Sequence, residues 1–421
     1  AMRSNPFFIF AIFALILFTI DYITFSGIKN LYPAIKRRKY IKFLYWSSPA
    51  IILIMLLLIP LIQQILSPVF FFTYFHTISG LFFLIYIPKL IFIFFEILQW
   101  IYEYAKRAYE KIISHKRQKI DPEGIKISRS QFLRKAGIVT AAVPFASIAY
   151  GILWGRFNFT VRNLTLFYPN LPNAFDGFKL LQFSDFHAGS LINNKDKIKY
   201  AVELMNEQMA DIIFFTGDFV NNVADELTGF SNILSDLQAP KGMYSILGNH
   251  DYGDYVEWNS IHEKNKNLKY LLDIQRESGF NMLLNDSVKI FNGQDFIEVI
   301  GVENWGLPPF PQYGNLEMAL SETENKSFKI LLSHDPTHWD EQVLNFTNID
   351  LTLSGHTHGA QFGIEIPGWR WSPVNMRYKR WGGLYEEEKQ KLNVNTGLGF
   401  IGFPGRVGMP PEITVIELKK V

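Results

Sequence analysis

The chain has no cysteine among its 421 residues. Disulfides, thiolate nucleophiles and thiolate metal sites are therefore excluded. Net charge is also scarce: 41 Lys and Arg stand against 39 Asp and Glu, leaving +2. No overall field favours nucleic acid, which is not expected as a partner. Charge is missing altogether from residues 6–20, 43–66, 67–88 and 136–155, where the only histidine is His76. What fills these stretches is apolar and aromatic, including many of the 38 Phe. Ala1, ahead of Met2, reads as a residue left by cloning and carries no argument.

A helix that crosses a bilayer needs about 20 mostly apolar residues. The uncharged stretches predict spans near 6–24, 43–66, 68–95 and 136–155, the third running on towards the interface beyond Lys89. Residues 1–155 are thus expected to form a transmembrane helical domain, and 156–421 a second domain. Lys29, Lys36, Arg37, Arg38, Lys39 and Lys42 lie between the first two spans. A second basic group from Lys106 to Lys135 lies between the third and fourth, whereas Gln63 to Ser67 has no basic residue. Basic loops stay cytoplasmic, so everything after Gly155 is expected on the extracytoplasmic side. The string Ser128-Arg129-Ser130-Gln131-Phe132-Leu133-Arg134 resembles a twin-arginine export signal, with Ser130 in place of the second arginine.

From Arg156 onward, apolar runs alternate with amphipathic ones. Lys179 to Phe183, Asp211 to Thr216, Gly242 to Leu247, Phe328 to Leu332 and Asp350 to Leu353 read as strands. Val288 to Ile290 and Phe296 to Val302 read as a hairpin turning at Asn292-Gly293. Ile198 to Met209 and Ile261 to Gly279 read as helices. The pattern predicts an α/β fold, and the polar clusters follow the C-terminal ends of the strands, where such sheets place their ligands.

The clusters carry oxygen and nitrogen donors only. Asp185-Phe186-His187 places a carboxylate and an imidazole two residues apart, and in an extended segment these point the same way. Asp218 adds a carboxylate suited to bridging two cations, Asn249 a carbonyl oxygen, and His334, His356 and His358 three imidazoles. This donor set suits Zn, Mn or Fe. Two such ions, held about 3.5–4 Å apart, clamp a phosphate and activate a water. His250 is the expected proton donor to the leaving oxygen, with Asp251 holding its tautomer.

The order Asp-x-His, Gly-Asp, Gly-Asn-His-Asp, His, Gly-His-x-His resembles the calcineurin-like metallophosphoesterase superfamily over Phe178 to Leu418. Ser354 to Gln361 and Gly405 to Ile413 are similar to its bacterial membrane-associated YkuE/YaeI-type branch, with Ala360 replacing a second Gly and Thr396 replacing a common Arg. The resemblance implies a four-layer α/β/β/α sandwich as the catalytic domain over 156–421, in a multi-pass protein of the bacterial inner membrane. It implies one metal on Asp185, His187, Asp218 and His358, and another on Asp218, Asn249, His334 and His356. Arg406 is the candidate for an extra phosphate contact, and Asn221 and Asn222 are further candidate substrate contacts.

The expected reaction is hydrolysis of a phosphate ester, phosphodiester or pyrophosphate. Trp369, Trp371, Tyr378, Trp381 and Tyr385, with Arg370, Arg377, Lys379 and Arg380, form an aromatic and basic stretch suited to lipid headgroups. A lipid-linked substrate is therefore expected, with membrane lipids as partners. A soluble nucleotide or cell-wall phosphodiester is the alternative, and a non-catalytic metal-binding signalling module is a third reading.

Overall fold

The computed structural model describes residues 6–113, 129–367 and 369–421. Part of the second basic group and Ser128 of the twin-arginine-like string lie outside them. The chain divides into two compact units, residues 1–65 with 75–150 and residues 66–74 with 151–421.

The first unit is built from α1 (Pro6–Leu31), α2 (Lys39–Ile65), α3 (Pro68–Ile113) from Phe75 onward and α4 (Arg129–Leu153) as far as Tyr150. Each is long and apolar enough to cross a membrane. At 1.5 Å per residue, the 46 residues of α3 rise about 70 Å, far more than a hydrocarbon core of about 30 Å. Leu17, Ile52 and Tyr86 pack inside the unit, while Leu15, Phe43 and Phe94 face outward. The buried carboxylates within the helices are paired: Lys89 lies 2.5 Å from Asp21, and Arg134 lies 2.7 Å from Glu96. Tyr86 donates a further hydrogen bond to Asp21 Oδ2. An unpaired charge at such a depth is costly, so pairing is the condition for its presence.

The second unit begins with β1 (Thr160–Tyr168), β2 (Lys179–Phe183), β3 (Ile212–Phe215), β4 (Met243–Ser245) and β5 (Phe280–Met282). The chain continues through β6 (Asp286–Asn292), β7 (Asp295–Gly301), β8 (Lys329–Leu332) and β9 (Leu351–Ser354). It ends with β10 (Ile364–Ile366), β11 (Trp369–Trp371), β12 (Gly383–Glu387), β13 (Gln390–Val394) and β14 (Glu412–Lys420). One sheet has the order β1-β14-β2-β3-β4-β5, and the other β12-β13-β9-β8-β7-β6.

Alternation along the strands explains the layering. Ile212 and Phe214 of β3 meet Ile330, Leu332 and Leu353 between the sheets. Ile213 and Phe215 face outward, against Ile198, Ala201, Val202 and Met205 of α5 (Lys195–Asn206) and Leu271 and Ile274 of α6 (Ile261–Glu277). On the other outer face, Ile300, Leu331 and Val394 pack on Trp339 and on Leu316 and Ala319 of α7 (Leu316–Leu320). Helix, sheet, sheet and helix thus form the four layers that the resemblance implies. Gln182, buried between the sheets, donates to Ser354 O and accepts from Asn393 Nδ2, which ties β2 to the facing sheet.

His338 is a buried histidine that the sequence reading passed over. Its Nδ1 lies 2.8 Å from Ser333 Oγ, and its Nε2 3.1 Å from Gln342 Oε1. Burial pushes this imidazole down, to about 4, from an ordinary 6.5. The folded value lies below the unfolded one, so the contribution to stability is present above pH 6.5 and is lost as pH falls towards 4. The loss amounts to roughly 3 kcal/mol. The melting temperature of the full chain is expected to fall across that window, and to fall less in His338→Gln. An unchanged slope in the variant assigns the acid sensitivity elsewhere.

Candidate metal centre

Five loops leaving β2, β3, β4, β8 and β9 converge on one end of the paired sheets. Their backbones are not extended at the key residues: φ is 52° at Asp185, 49° at His187, 64° at Asp218, 74° at His356 and 53° at His358. The extended geometry expected for Asp185 and His187 is therefore corrected. Left-handed residues cost about 1–2 kcal/mol each and persist only where the surroundings over-determine them. Here neighbouring loops do so. Asp185 N donates to Gly217 O, His187 N to Asp218 O, and Gly399 N to Asp185 O.

Two clusters result, each with donor atoms mutually within 4.8 Å: Asp185, His187 and His358, then Asp218, His334 and His356. His187 Nε2 lies 3.0 Å from His358 Nε2, which in turn lies 3.2 Å from Asp185 Oδ1. Asp218 Oδ2 lies 3.1 Å from His334 Nε2 and 3.6 Å from His187 Nε2, so one carboxylate reaches both clusters. His187 Nδ1 donates to Val220 O and His334 Nδ1 to Thr216 O. Those bonds turn the Nε2 lone pairs into the centre. His356 Nε2 lies 2.8 Å from Tyr378 OH and 3.5 Å from Asp335 Oδ2.

The residues fit two cations. Among the described residues, the buried Asn249 Oδ1 has no hydrogen-bond partner. Asn249 Nδ2 is held by Tyr255 OH at 2.8 Å, so its carbonyl oxygen is the end left for an ion. The motif glycines are required by close approach: a Cβ on Gly248 would overlap the Asp218 carboxylate, and one on Gly355 would overlap Ser184 and the Asp185 carboxylate. Electrostatics agree. Burial pushes Asp218 up, but the imidazoles of His334 and His250 pull it further down, well below the carboxylate range. Burial lowers His334, yet the Asp218 and Asp185 carboxylates push it up to about 10. A divalent cation replaces that proton and answers the same charges.

His250 is half-buried, with its backbone N–H on Asp218 Oδ1. Its Nδ1 donates to Asn221 O at 2.6 Å, not to Asp251. Asp251 as the orienting partner is corrected. Its carboxylate instead accepts backbone N–H groups from Asp218, Phe219, Val220 and Gly248, and so pins the loop that carries Asp218. Arg406 is also corrected as an open phosphate contact. It is buried, with Nε and Nη2 donating to Gly399 O, and Nη2 lies 3.3 Å from His358 Nδ1. Asn221 does not offer its side chain to substrate either, because that amide bonds Ser190. Asn222 is buried beside it, its N–H donating to Glu226. Ala360 has φ at 50°, a left-handed form that glycine adopts most readily, and Thr396 donates to Glu412 Oε2.

Sequence reasoning missed Glu226, Asp335 and Tyr255, and it placed Tyr378 in the lipid-facing stretch, whereas its hydroxyl meets His356. Glu226 accepts backbone N–H groups from Gly189, Asn221, Asn222 and Val223. Burial pushes this carboxyl up, to about 7, against the pull of those donors. It fixes the carbonyl that holds His250, and its only sequence signal was an acid shortly after Asp218. Glu226→Gln is expected to lower kcat about 10–100-fold with metal content unchanged. Loss of metal in that variant, measured by elemental analysis, makes the role one of general folding instead.

The N-terminal part, residues 2–156, matches a family model described as "Probable Calcineurin-like phosphoesterase, transmembrane domain". Residues 178–360 match "Calcineurin-like phosphoesterase". The metallophosphoesterase YkuE of Bacillus subtilis is 31% identical over 308 residues, covering 70% of this chain and 98% of that protein. A metallophosphoesterase of Aquifex aeolicus is 28% identical, over 62% of this chain and 91% of its own length. A zebrafish transmembrane protein with a metallophosphoesterase domain is also 28% identical, over 59% of this chain and 55% of its own length. With four apolar helices followed in sequence by two converging carboxylate–imidazole clusters, the chain belongs to the calcineurin-like metallophosphoesterases, as a multi-pass membrane hydrolase with a dinuclear metal site.

Proposed function

We propose that the chain hydrolyses a phosphate ester, phosphodiester or pyrophosphate bond of a lipid-linked substrate at a membrane surface, on the extracytoplasmic side of a bacterial inner membrane. The carrying observation is that the two clusters, joined by Asp218, belong to a chain with four apolar helices, more than a tether requires. Asp185, His187, Asp218 and His358 hold one cation, and Asp218, Asn249, His334 and His356 the other. Bound there, the cations supply positive charge for the phosphoryl oxygens. In its imidazolium form, with Nδ1–H held by Asn221 O, His250 presents Nε2–H to the leaving oxygen, gives it that proton and is left as the neutral Nδ1–H imidazole.

Purified full chain incubated with an envelope lipid extract is expected to consume one class of phosphate-containing lipid. Turnover of soluble nucleotides or cell-wall phosphodiesters with no lipid consumed overturns the lipid reading and leaves the soluble one. Protease added to spheroplasts is expected to digest residues 156–421. Complete protection there places the catalytic domain in the cytoplasm.

A further inference from the structure

Strands β10 and β11 form a separate antiparallel ribbon in register Ile364↔Trp371, Glu365↔Arg370 and Ile366↔Trp369. Alternate residues share a face, and so do residues directly paired. Ile364, Ile366, Trp369 and Trp371 therefore occupy one face, and Glu365 and Arg370 the other. The polar face is turned onto the domain: Arg162 of β1 donates to Glu365, and the Arg370 guanidinium sits 5.1 Å from the Trp381 ring. The apolar face is turned outward, its four side chains 43–54% exposed. That inverts the usual arrangement of a solvated ribbon, and contiguous exposed apolar surface of this kind marks an interaction site.

The position of the ribbon says what covers it. Gly363, just before β10, donates to Val407 O, and Val407 N donates to Gln361 O. The next residue back, Arg406, donates its N–H to Gly151 O in the last turn of α4. Leu153 and Trp154, where that span ends, are exposed. The ribbon thus starts a few hydrogen bonds from residues 151–154, which close the fourth candidate span and belong to the same compact unit as the ribbon. Tryptophan favours that boundary because its ring is apolar and its N–H polar. Past the ribbon, Arg377 and Lys379 are exposed cations that complement lipid phosphates, and Met376 between the ribbon and these cations is 85% exposed. Elsewhere in the aromatic and basic stretch, Tyr378 and Trp381 are buried with Met409, and Arg380 is paired with Asp340 and Glu387.

We infer that the Ile364, Ile366, Trp369 and Trp371 face lies in the interfacial layer of the same bilayer that the chain's own helices cross. The ribbon is coupled to the metal loop, since Ser372 donates to Gly359 O one residue beyond His358. Docking it on lipid holds the metal loop at a fixed distance from the headgroups. That consequence for substrate rests on the lipid-linked reading above, whereas the membrane contact itself does not.

The absence of cysteine permits a clean test on the full chain. Ile366→Cys and Trp369→Cys are each spin-labelled in liposomes of phosphatidylethanolamine and phosphatidylglycerol, with Phe346→Cys, 74% exposed in a loop, as the aqueous reference. Collision rates with oxygen and with a water-soluble nickel chelate are compared. The oxygen-to-nickel ratio is expected to be severalfold higher at Ile366 and Trp369 than at Phe346. Equal ratios overturn the inference, because the ribbon then faces water. Suppression of both collisions also overturns it, because the ribbon then meets protein, such as a second copy of the chain. High ratios without any lipid turnover leave the membrane contact standing and remove the lipid substrate.

Discussion

His250→Ala is expected to lower kcat on an alkyl phosphodiester by about 10²–10⁴-fold, the range for loss of a positioned general acid. The loss shrinks on an aryl phosphodiester, whose leaving oxygen departs without a proton. The geometry separates this effect from metal loss. The His250 side chain is held by Asn221 O through Nδ1, and its ring packs on those of His187 and Tyr255. The tie to Asp218 Oδ1 comes from its backbone N–H, which alanine keeps. Metal content is therefore expected to stay at the parental level. A series of leaving groups assayed alongside elemental analysis checks both points. An equal loss across the series, or a metal-depleted variant, sinks the proton-donor role.

Asp218→Asn is expected to abolish dinuclear binding and, with it, turnover. This carboxylate reaches both clusters, through Oδ2 to His334 and His187, and is buried. The amide can still accept from His250 N–H, so the loop retains that bond while the negative charge goes. Without that charge His334 loses the first of the carboxylates that push it up, and the two sets of donors lose their shared ligand. Zinc or manganese titrated into the apo-variant by calorimetry should bind with lower stoichiometry than in the parent. It should also displace fewer protons, because His334 now starts less protonated. Parental stoichiometry in the variant would show that Asp218 does not bridge.

Much of this was legible along the chain. Spans appear because hydrocarbon tolerates no unpaired charge, so each is a run in which charge is missing. The metal donors appear because each follows an apolar strand, and Gly248 and Gly355 stand in the motifs because carboxylates press against their α-carbons. The roles of neighbouring polar groups were less accessible. Asp251 read as the partner of the adjacent His250, but its carboxylate turns to N–H groups about thirty residues earlier in the chain. Arg406 read as a phosphate ligand, but it lies behind His358, 48 residues away.

By itself, then, the sequence determined the membrane-crossing helices, the order of the donors and the strand-to-loop placement that gathers them. These depend on residue type and on neighbours a few positions away. The tertiary structure alone decided which carbonyl holds His250, that Glu226 organises the loop behind it, and that the ribbon turns its Ile and Trp side chains outward. Each of these is set by which buried donors and acceptors meet across loops distant in sequence, because no group can remain unpaired there at low cost.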